Sequence, residues 1–315
     1  MNSFVSLLSS NKSTTQISDI NWVAVGQGTN SLATSTDGVN WTGLGGIFST
    51  RGRGVVYGNN LWVALGQGTN AIATSTDGVN WTGRTGTSIF STEGLDAGWN
   101  GSLWVAVGAG TTHTIATSSD SITWTGQGIT IFSNRGTGIA WSSSLGLWVA
   151  VGGGTNSIAT STNGTTWTGR GLTIFSTRGN DVAWNGSLWV AVGFGTNTIA
   201  TSTDGITWTG RGTSIFSTEG LGVAWSSSLG LWVAVGRGST HTIATSTDGI
   251  NWTGRGITVF STGGYGVAWN SSLGLWVAVG EGTNSIAYSS NGTSWTGVTN
   301  STTIFSTRGF GVGSK

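Results

Sequence analysis

The string Trp-Val-Ala-(Val or Leu)-Gly begins at Trp22, Trp62, Trp104, Trp148, Trp189, Trp232 and Trp276, with successive spacings of 40, 42, 44, 41, 43 and 44 residues. A unit of that length cannot bury its own apolar face, so stacked copies must bury one another. A second Trp follows each copy inside "WTG", at Trp41, Trp81, Trp124, Trp167, Trp208, Trp252 and Trp295. A third sits in an "AW" or "GW" segment at Trp99, Trp141, Trp184, Trp225 and Trp269, with Tyr57 in its place once. These three rows account for all 19 Trp of the chain.

Within one unit the pattern is that of strands. Residues 179–210, "GNDVAWNGSLWVAVGFGTNTIATSTDGITWTG", divide into four short apolar or β-branched runs separated by turn formers. "DVAW" is closed by Asn185-Gly186, a hairpin dipeptide. "LWVAVG" is continuously apolar, as a strand buried on both faces must be. "TIATST" follows, and "ITWT" is expected beyond a two-residue type I′ turn at Asp204-Gly205. No stretch has helical periodicity. Four antiparallel strands make a sheet with two faces to cover, and seven such sheets cover each other by standing face to face in a ring. The expected fold is all-β, a seven-bladed β-propeller of four-stranded antiparallel blades. The wedge between blades widens outwards, and the Trp rows fill it without any ligand.

The ends of the chain fit that count. First-strand segments begin near Gly52, Gly94, Gly136, Gly179, Gly220, Gly264 and Gly309. The first "WVAVG" has none before it and the last first strand has no "WVAVG" after it. The domain reading is therefore an N-terminal tail over residues 1–19 and a single propeller over 20–315. Its C-terminal strand, 309–315, is expected to complete the blade that starts at residue 21, a velcro closure.

Composition removes several function classes. The chain has 12 basic and 11 acidic residues, a formal charge of +1 and only 7% charged residues, so it has no field to collect nucleic acid along a groove. No Cys is present, which excludes disulfides and thiolate metal sites. The start, "MNSFVSLLSSNKSTT", lacks the basic region and long apolar run of a signal peptide. Apolar runs reach about six residues, against roughly 20 needed to span a bilayer. The expectation is a soluble monomeric ring with no cofactor and no membrane insertion, in a compartment the composition does not specify.

The turn before the second Trp reads "STDGVNW" at 35–41 and 75–81, "STDGITW" at 202–208 and "STDGINW" at 246–252. This resembles the Asp-box, or bacterial neuraminidase repeat, one residue shorter than its usual spacing. Three copies depart from it: "SSDSITW" at 118–124, "STNGTTW" at 161–167 and "SSNGTSW" at 289–295. The whole unit is similar to the blades of photosystem stability-factor and sialidase-type propellers, over residues of about 20 to 315. The resemblance implies a folding role for Asp37, Asp77, Asp120, Asn163, Asp204, Asp248 and Asn291. Asn at two of these places agrees with that role, since it keeps the hydrogen bonds but cannot act as a general base.

Catalytic chemistry finds little to work with. Outside the turns the acids are Asp19, Glu93, Asp96, Asp181, Glu219 and Glu281. Glu93 and Glu219 occupy equivalent "STEG" places, far apart around a ring, whereas glycoside hydrolysis needs two carboxyls within about 10 Å. None of Tyr57, Tyr265 and Tyr288 has a neighbouring Glu of the kind a sialidase nucleophile needs. His113 and His241 also sit at equivalent, separated places and make neither a metal site nor an oriented base. The "VGQGTN" turns precede no helix and no Lys, so they are not phosphate loops. The chain is read as a non-enzyme.

Where repeats differ, a contact surface is expected. The "VGxG" position reads Gln27, Gln67, Ala109, Gly153, Phe194, Arg237 and Glu281, and the "FSTxG" position reads Arg51, Glu93, Arg135, Arg178, Glu219, Gly263 and Arg308. Both fall on one face, with Arg84, Arg170, Arg211 and Arg255 of "WTGR" placed nearby. The functional expectation is an interaction or structural scaffold using this variable, charged loop face to meet a protein or glycan. Two alternatives stand beside it. One is a multivalent lectin with one weak site per blade. The other is a recently amplified or engineered propeller with no evolved ligand.

Overall fold

The computed structural model of the chain describes residues 19–84 and 89–315. The tail expected over residues 1–19 therefore lies, apart from Asp19, outside the described residues. Among those described there are 28 strands and one single-turn helix, Ser301–Ile304. The strands form six hydrogen-bonded sheets, five of four strands and one of eight. The eight-stranded sheet is two four-stranded runs, over 135–169 and 178–210, joined by the pair Gly153↔Arg178.

Each run repeats one plan, which the run 178–210 illustrates. Its first strand is Arg178–Trp184, its second Trp189–Phe194, its third Ile199–Ser202 and its fourth only Thr209–Gly210. First and second strands pair antiparallel from Arg178↔Phe194 to Trp184↔Trp189, with a bulge between Gly179 and Asp181. The cross-strand rings of Trp184 and Trp189 lie 4.9 Å apart, a tilted aromatic pair.

The second strand explains its continuous apolar sequence. Trp189, Val190, Ala191 and Val192 have no exposed surface. Side chains alternate along a strand, so Trp189 and Ala191 pack back onto Val149 and Val151 of the preceding run. Val190 and Val192 pack forward onto Trp232 and Ala234 of the next. Large Trp and small Ala on one face, met by two Val on the other, let facing sheets interdigitate. Each first strand also packs against the next in chain order, and Arg308–Ser314 packs against both Gly263–Asn270 and Arg51–Gly58. Arg308–Ser314 further pairs antiparallel with Trp22–Gln27, from Gln27↔Arg308 to Trp22↔Ser314. Phe305 and Val312 join Trp22, Ala24 and Ala33 in one apolar cluster.

Two turn expectations need correction. Between Ser202 and Thr209 lies a six-residue loop rather than a two-residue type I′ turn. Ser202 Oγ accepts the Gly205 amide at 2.8 Å, and Asp204 Oδ1 accepts those of Ile206 and Thr207 at 2.8 and 2.7 Å. Trp208 Nε1 donates to the Gly205 carbonyl at 2.9 Å. The side chains thus capture amides that a hairpin ladder would use, which is why "ITWT" contributes so little strand. Gly205 is required twice over: its φ is +74°, and a Cβ would stand 2.8 Å from Leu147 Cδ2 of the neighbouring run. The Asn185-Gly186 hairpin spans four residues, with Asn185 Oδ1 accepting the amides of Ser187 and Leu188 at 2.9 and 2.7 Å.

Candidate functional site

The two variable rows are a single row. The residue that opens each first strand is the cross-strand partner of the residue that closes the second: Arg308 with Gln27, Arg51 with Gln67, Glu93 with Ala109, and Arg135 with Gly153. Arg178 pairs in the same way with Phe194, Glu219 with Arg237, and Gly263 with Glu281. These positions lie on strand ends, not on the loops where the sequence reading placed them, so ladder hydrogen bonds fix their backbone. Half of them, Arg51, Arg135, Gly153, Arg178, Glu219, Arg237 and Arg308, line the mouth of a channel between the first strands, a cavity of about 420 Å³. Six arginines line it: Arg51, Arg53, Arg135, Arg178, Arg237 and Arg308. Gln27, Gln67, Glu93, Ala109, Phe194, Gly263 and Glu281 share the row but do not line the cavity.

The glutamates of the row are ion-pair centres, Glu93 and Glu219 buried and Glu281 partly so. Glu93 is 2% exposed and meets Arg53 at 2.8 Å, Arg51 at 3.4 Å and Arg135 at 3.6 Å. Glu219 meets Arg178 at 2.7 Å and Arg237 at 3.5 Å. Glu281 lies 3.3 Å from Arg308 and 3.7 Å from Arg237, and it accepts the Tyr265 hydroxyl at 2.9 Å. Most of these contacts cross from one four-stranded run to another. Carboxylates this deep are tolerated only because several cations converge on each. Aromatic rings hold the guanidinium planes, with Arg53 4.4 Å over Phe310 and Arg178 5.3 Å over Phe194.

Sequence reasoning missed Arg53, Asn180, Tyr265 and Phe310, which stand two residues into their strands and line the same cavity. It also set aside Asp96 and Asp181, which line a second cavity of about 130 Å³ deeper in the channel. Asp96 accepts the amides of Ala97 and Ile139, and Asp181 those of Val182 and Val223, so each ties its own strand to the next run. Burial pushes both carboxyls well above the ordinary carboxylate range, and the proximity of Asp181 adds to the rise at Asp96. The available signal was positional, since the other first strands carry Gly at this point: Gly54, Gly138, Gly222, Gly266 and Gly311.

Other candidates lie elsewhere. Arg84, Arg170, Arg211 and Arg255 do not reach the channel; each folds from a fourth strand or its end onto a third-strand threonine, as Arg211 does on Thr201 at 2.6 Å. His113 and His241 accept the amides of Gly128 and Gly256 through Nδ1 at 3.0 and 3.1 Å. They do part of the work of Asn197, whose Oδ1 accepts the Gly212 amide and whose Nδ2 donates to the Ile174 carbonyl. At the six-residue turns, Asp37, Asp77, Asp120, Asp248, Asn163 and Asn291 accept amides as Asp204 does. Against the upward push of partial burial, bonds from Asn40, Val39 and Ser35 hold Asp37 at about 2. The Thr207 amide leads the bonds that hold Asp204 at about 2.

No family model matches the sequence, and no curated protein matches it. Solved structures do. Virginiamycin B lyase from Staphylococcus aureus superposes with a TM-score of 0.66 at 10% identity, over 78% of this chain and 83% of that one. YCF48 bound to a D1 peptide gives 0.59 at 17% identity, over 86% and 93%. A chain of the nidogen/laminin complex gives 0.57 at 10% identity, over 93% and 97%. The chain is a β-propeller. At these identities the likeness concerns the fold alone, with the four-stranded runs as the propeller's blades and the arginine-lined cavity as one mouth of its axial channel.

Proposed function

We propose that this propeller is a non-catalytic interaction scaffold whose contact surface is the arginine-rich channel mouth. The observation that carries the reading is the convergence of repeat-to-repeat variation on that mouth, while blade cores and turns stay nearly constant. The contact row is Gln27, Arg51, Gln67, Glu93, Arg135, Arg178, Phe194, Glu219, Arg237, Glu281 and Arg308. Residues 20–315 are read as one domain of seven blades, supported by the seven first strands packed in succession and by the pairing of Arg308–Ser314 with Trp22–Gln27. The turn bonds of Ser202, Asp204 and Trp208 support kinship with Asp-box propellers. Catalysis is disfavoured because Asp96 and Asp181 are each engaged by two backbone amides and Tyr265 by ionic partners. YCF48 with its D1 peptide shows the same fold holding a peptide.

The test compares the proteins retained by the wild-type chain with those retained by a variant carrying Arg135→Glu and Arg178→Glu, followed by titration of each recovered protein with pure chain. Saturable binding abolished by the variant supports the scaffold; binding that survives it refutes this mouth as the contact surface.

A second reading, a multivalent lectin, has its own observation. Clefts recur at the rim where a turn Trp meets the preceding blade: beside Trp41, Trp81 and Trp252, with volumes of about 520, 270 and 240 Å³. A glycan array followed by calorimetry decides it, with several equivalent weak sites per chain as the supporting result and no binding to neutral or acidic sugars as the opposing one.

A further inference from the structure

Six of the ten arginines in the sequence line one cavity. Against them stand Glu93, Glu219 and Glu281, so three positive charges remain unbalanced at the mouth, although the whole chain carries only +1. The acids are unevenly spaced. Glu93 lies among Arg51, Arg53 and Arg135; Glu219 lies between Arg178 and Arg237; Glu281 lies between Arg237 and Arg308. Among the described residues, no carboxylate intervenes between Arg135 and Arg178, which open neighbouring first strands and pair outward with Glu93 and Glu219. The residue between them is Gly153, cross-strand partner of Arg135 and paired with Arg178; it is buried, and it adds no charge to the cavity wall. Arg135 is also the loosest of the three cations on Glu93, at 3.6 Å and with 38% of its side chain exposed. Asn134 and Thr177 add polar lining.

We propose that Arg135 and Arg178, side by side on the cavity wall, bind a compact organic or inorganic polyanion through paired phosphate or carboxylate groups. Guanidinium forks match both oxyanions bidentately, and two or three negative charges would balance the mouth. A cavity of about 420 Å³ admits a molecule of metabolite size. Asp96 and Asp181, the carboxyls deeper in the channel, offset this field only in part at neutral pH, because burial favours their protonated forms. The proposal deepens the reading of the mouth as a contact surface and rests on it for the site, but not for a macromolecular partner.

Calorimetric titration of the full chain with pyrophosphate and, separately, with citrate tests it; the two arms distinguish a phosphoryl from a carboxylate ligand. One site per chain is expected in at least one arm, weakening at least tenfold between 50 and 200 mM salt on the order expected for charge-dominated binding. Arg135→Gln with Arg178→Gln should lower affinity more than tenfold, whereas Arg84→Gln with Arg255→Gln at the rim should leave it unchanged. Should the double arginine variant unfold, Asn134→Asp keeps every arginine and sets a carboxylate of nearly the same shape on the exposed cavity lining, and it should lower affinity more than tenfold with the melting temperature retained. Silence in both arms at low salt, or binding indifferent to Asn134→Asp, overturns the anion site. Because a protein partner lost from the Glu double variant would stand even then, the two readings fail separately.

Discussion

Ser121 occupies the place where the other turns carry Gly, and it does so at φ +62°. A left-handed conformation costs a residue with a Cβ roughly 1–2 kcal/mol. Ser121→Gly should therefore raise stability by about 1 kcal/mol, read as a higher urea midpoint at unchanged slope. Glu93 illustrates the opposite case: replacing it by Gln strands Arg51, Arg53 and Arg135 around a neutral group and should destabilise the protein by about 3 kcal/mol, since breaking a buried ion cluster leaves uncompensated charge. The acids also set a pH dependence. Asp37, Asp77 and Asp204 are held at about 2 in the folded state, so their contribution is complete above about 4 and fades as pH falls towards 2. Asp96 and Asp181 are raised by burial, so the folded chain binds more protons than the unfolded one above about pH 4, and stability declines as pH climbs towards neutral and beyond. Urea midpoints from pH 3 to 9 should peak near pH 4–5, and Asp96→Asn with Asp181→Asn should flatten the alkaline side. An alkaline slope unchanged in that variant would show that these carboxyls are not its source.

At the scale of the element, each blade's second-to-third turn is tied down by one side chain. Asn197 donates to Ile174 at 2.8 Å and accepts from Gly212 at 2.9 Å, joining the turn to the linker before the blade and to the end of its fourth strand. Asn197→Ala should cost about 1–3 kcal/mol, the net worth of two hydrogen bonds at roughly 0.5–1.5 kcal/mol each, with faster amide exchange confined to that blade in hydrogen-exchange measurements. The strands themselves were legible because packing on both faces writes a continuous apolar run, "LWVAVG", into every unit. The brevity of the fourth strand was not legible: apolar "ITW" reads as strand, yet Ile206 is 49% exposed because Asp204 has claimed the amides around it. The channel row was half legible. Positions such as Arg51 and Glu93 stood out by variation, but "STRGRG" looks like a loop, and the bulge between Gly52 and Gly54 conceals that Arg53 turns into the same cavity.

For the whole molecule, the proposed closure makes stability depend on the last dozen residues. Truncation after residue 302 removes Phe305, Phe310 and Val312, each buried and each contributing about 1.5–3 kcal/mol. It also leaves Trp22–Gln27 without its partner strand, a bare edge that invites pairing between chains. The truncated chain should melt at a lower temperature and form oligomers by light scattering; an unchanged melt would remove the ring closure. The same strand pair gives the molecule a direction. Gln27 and Arg308 lie at the arginine-lined mouth, while Trp22 and Ser314 lie at the other end, where the Lys315 amide donates to Asn21 at 3.0 Å. The strand Arg308–Ser314 has seven residues, or ~20 Å at about 3.3 Å each. The C-terminal end of the chain thus leaves from the side opposite the channel arginines. A propeller tethered through its C-terminal end to a bead, a bilayer or another domain would hold its arginine mouth outward, facing whatever approaches from solution.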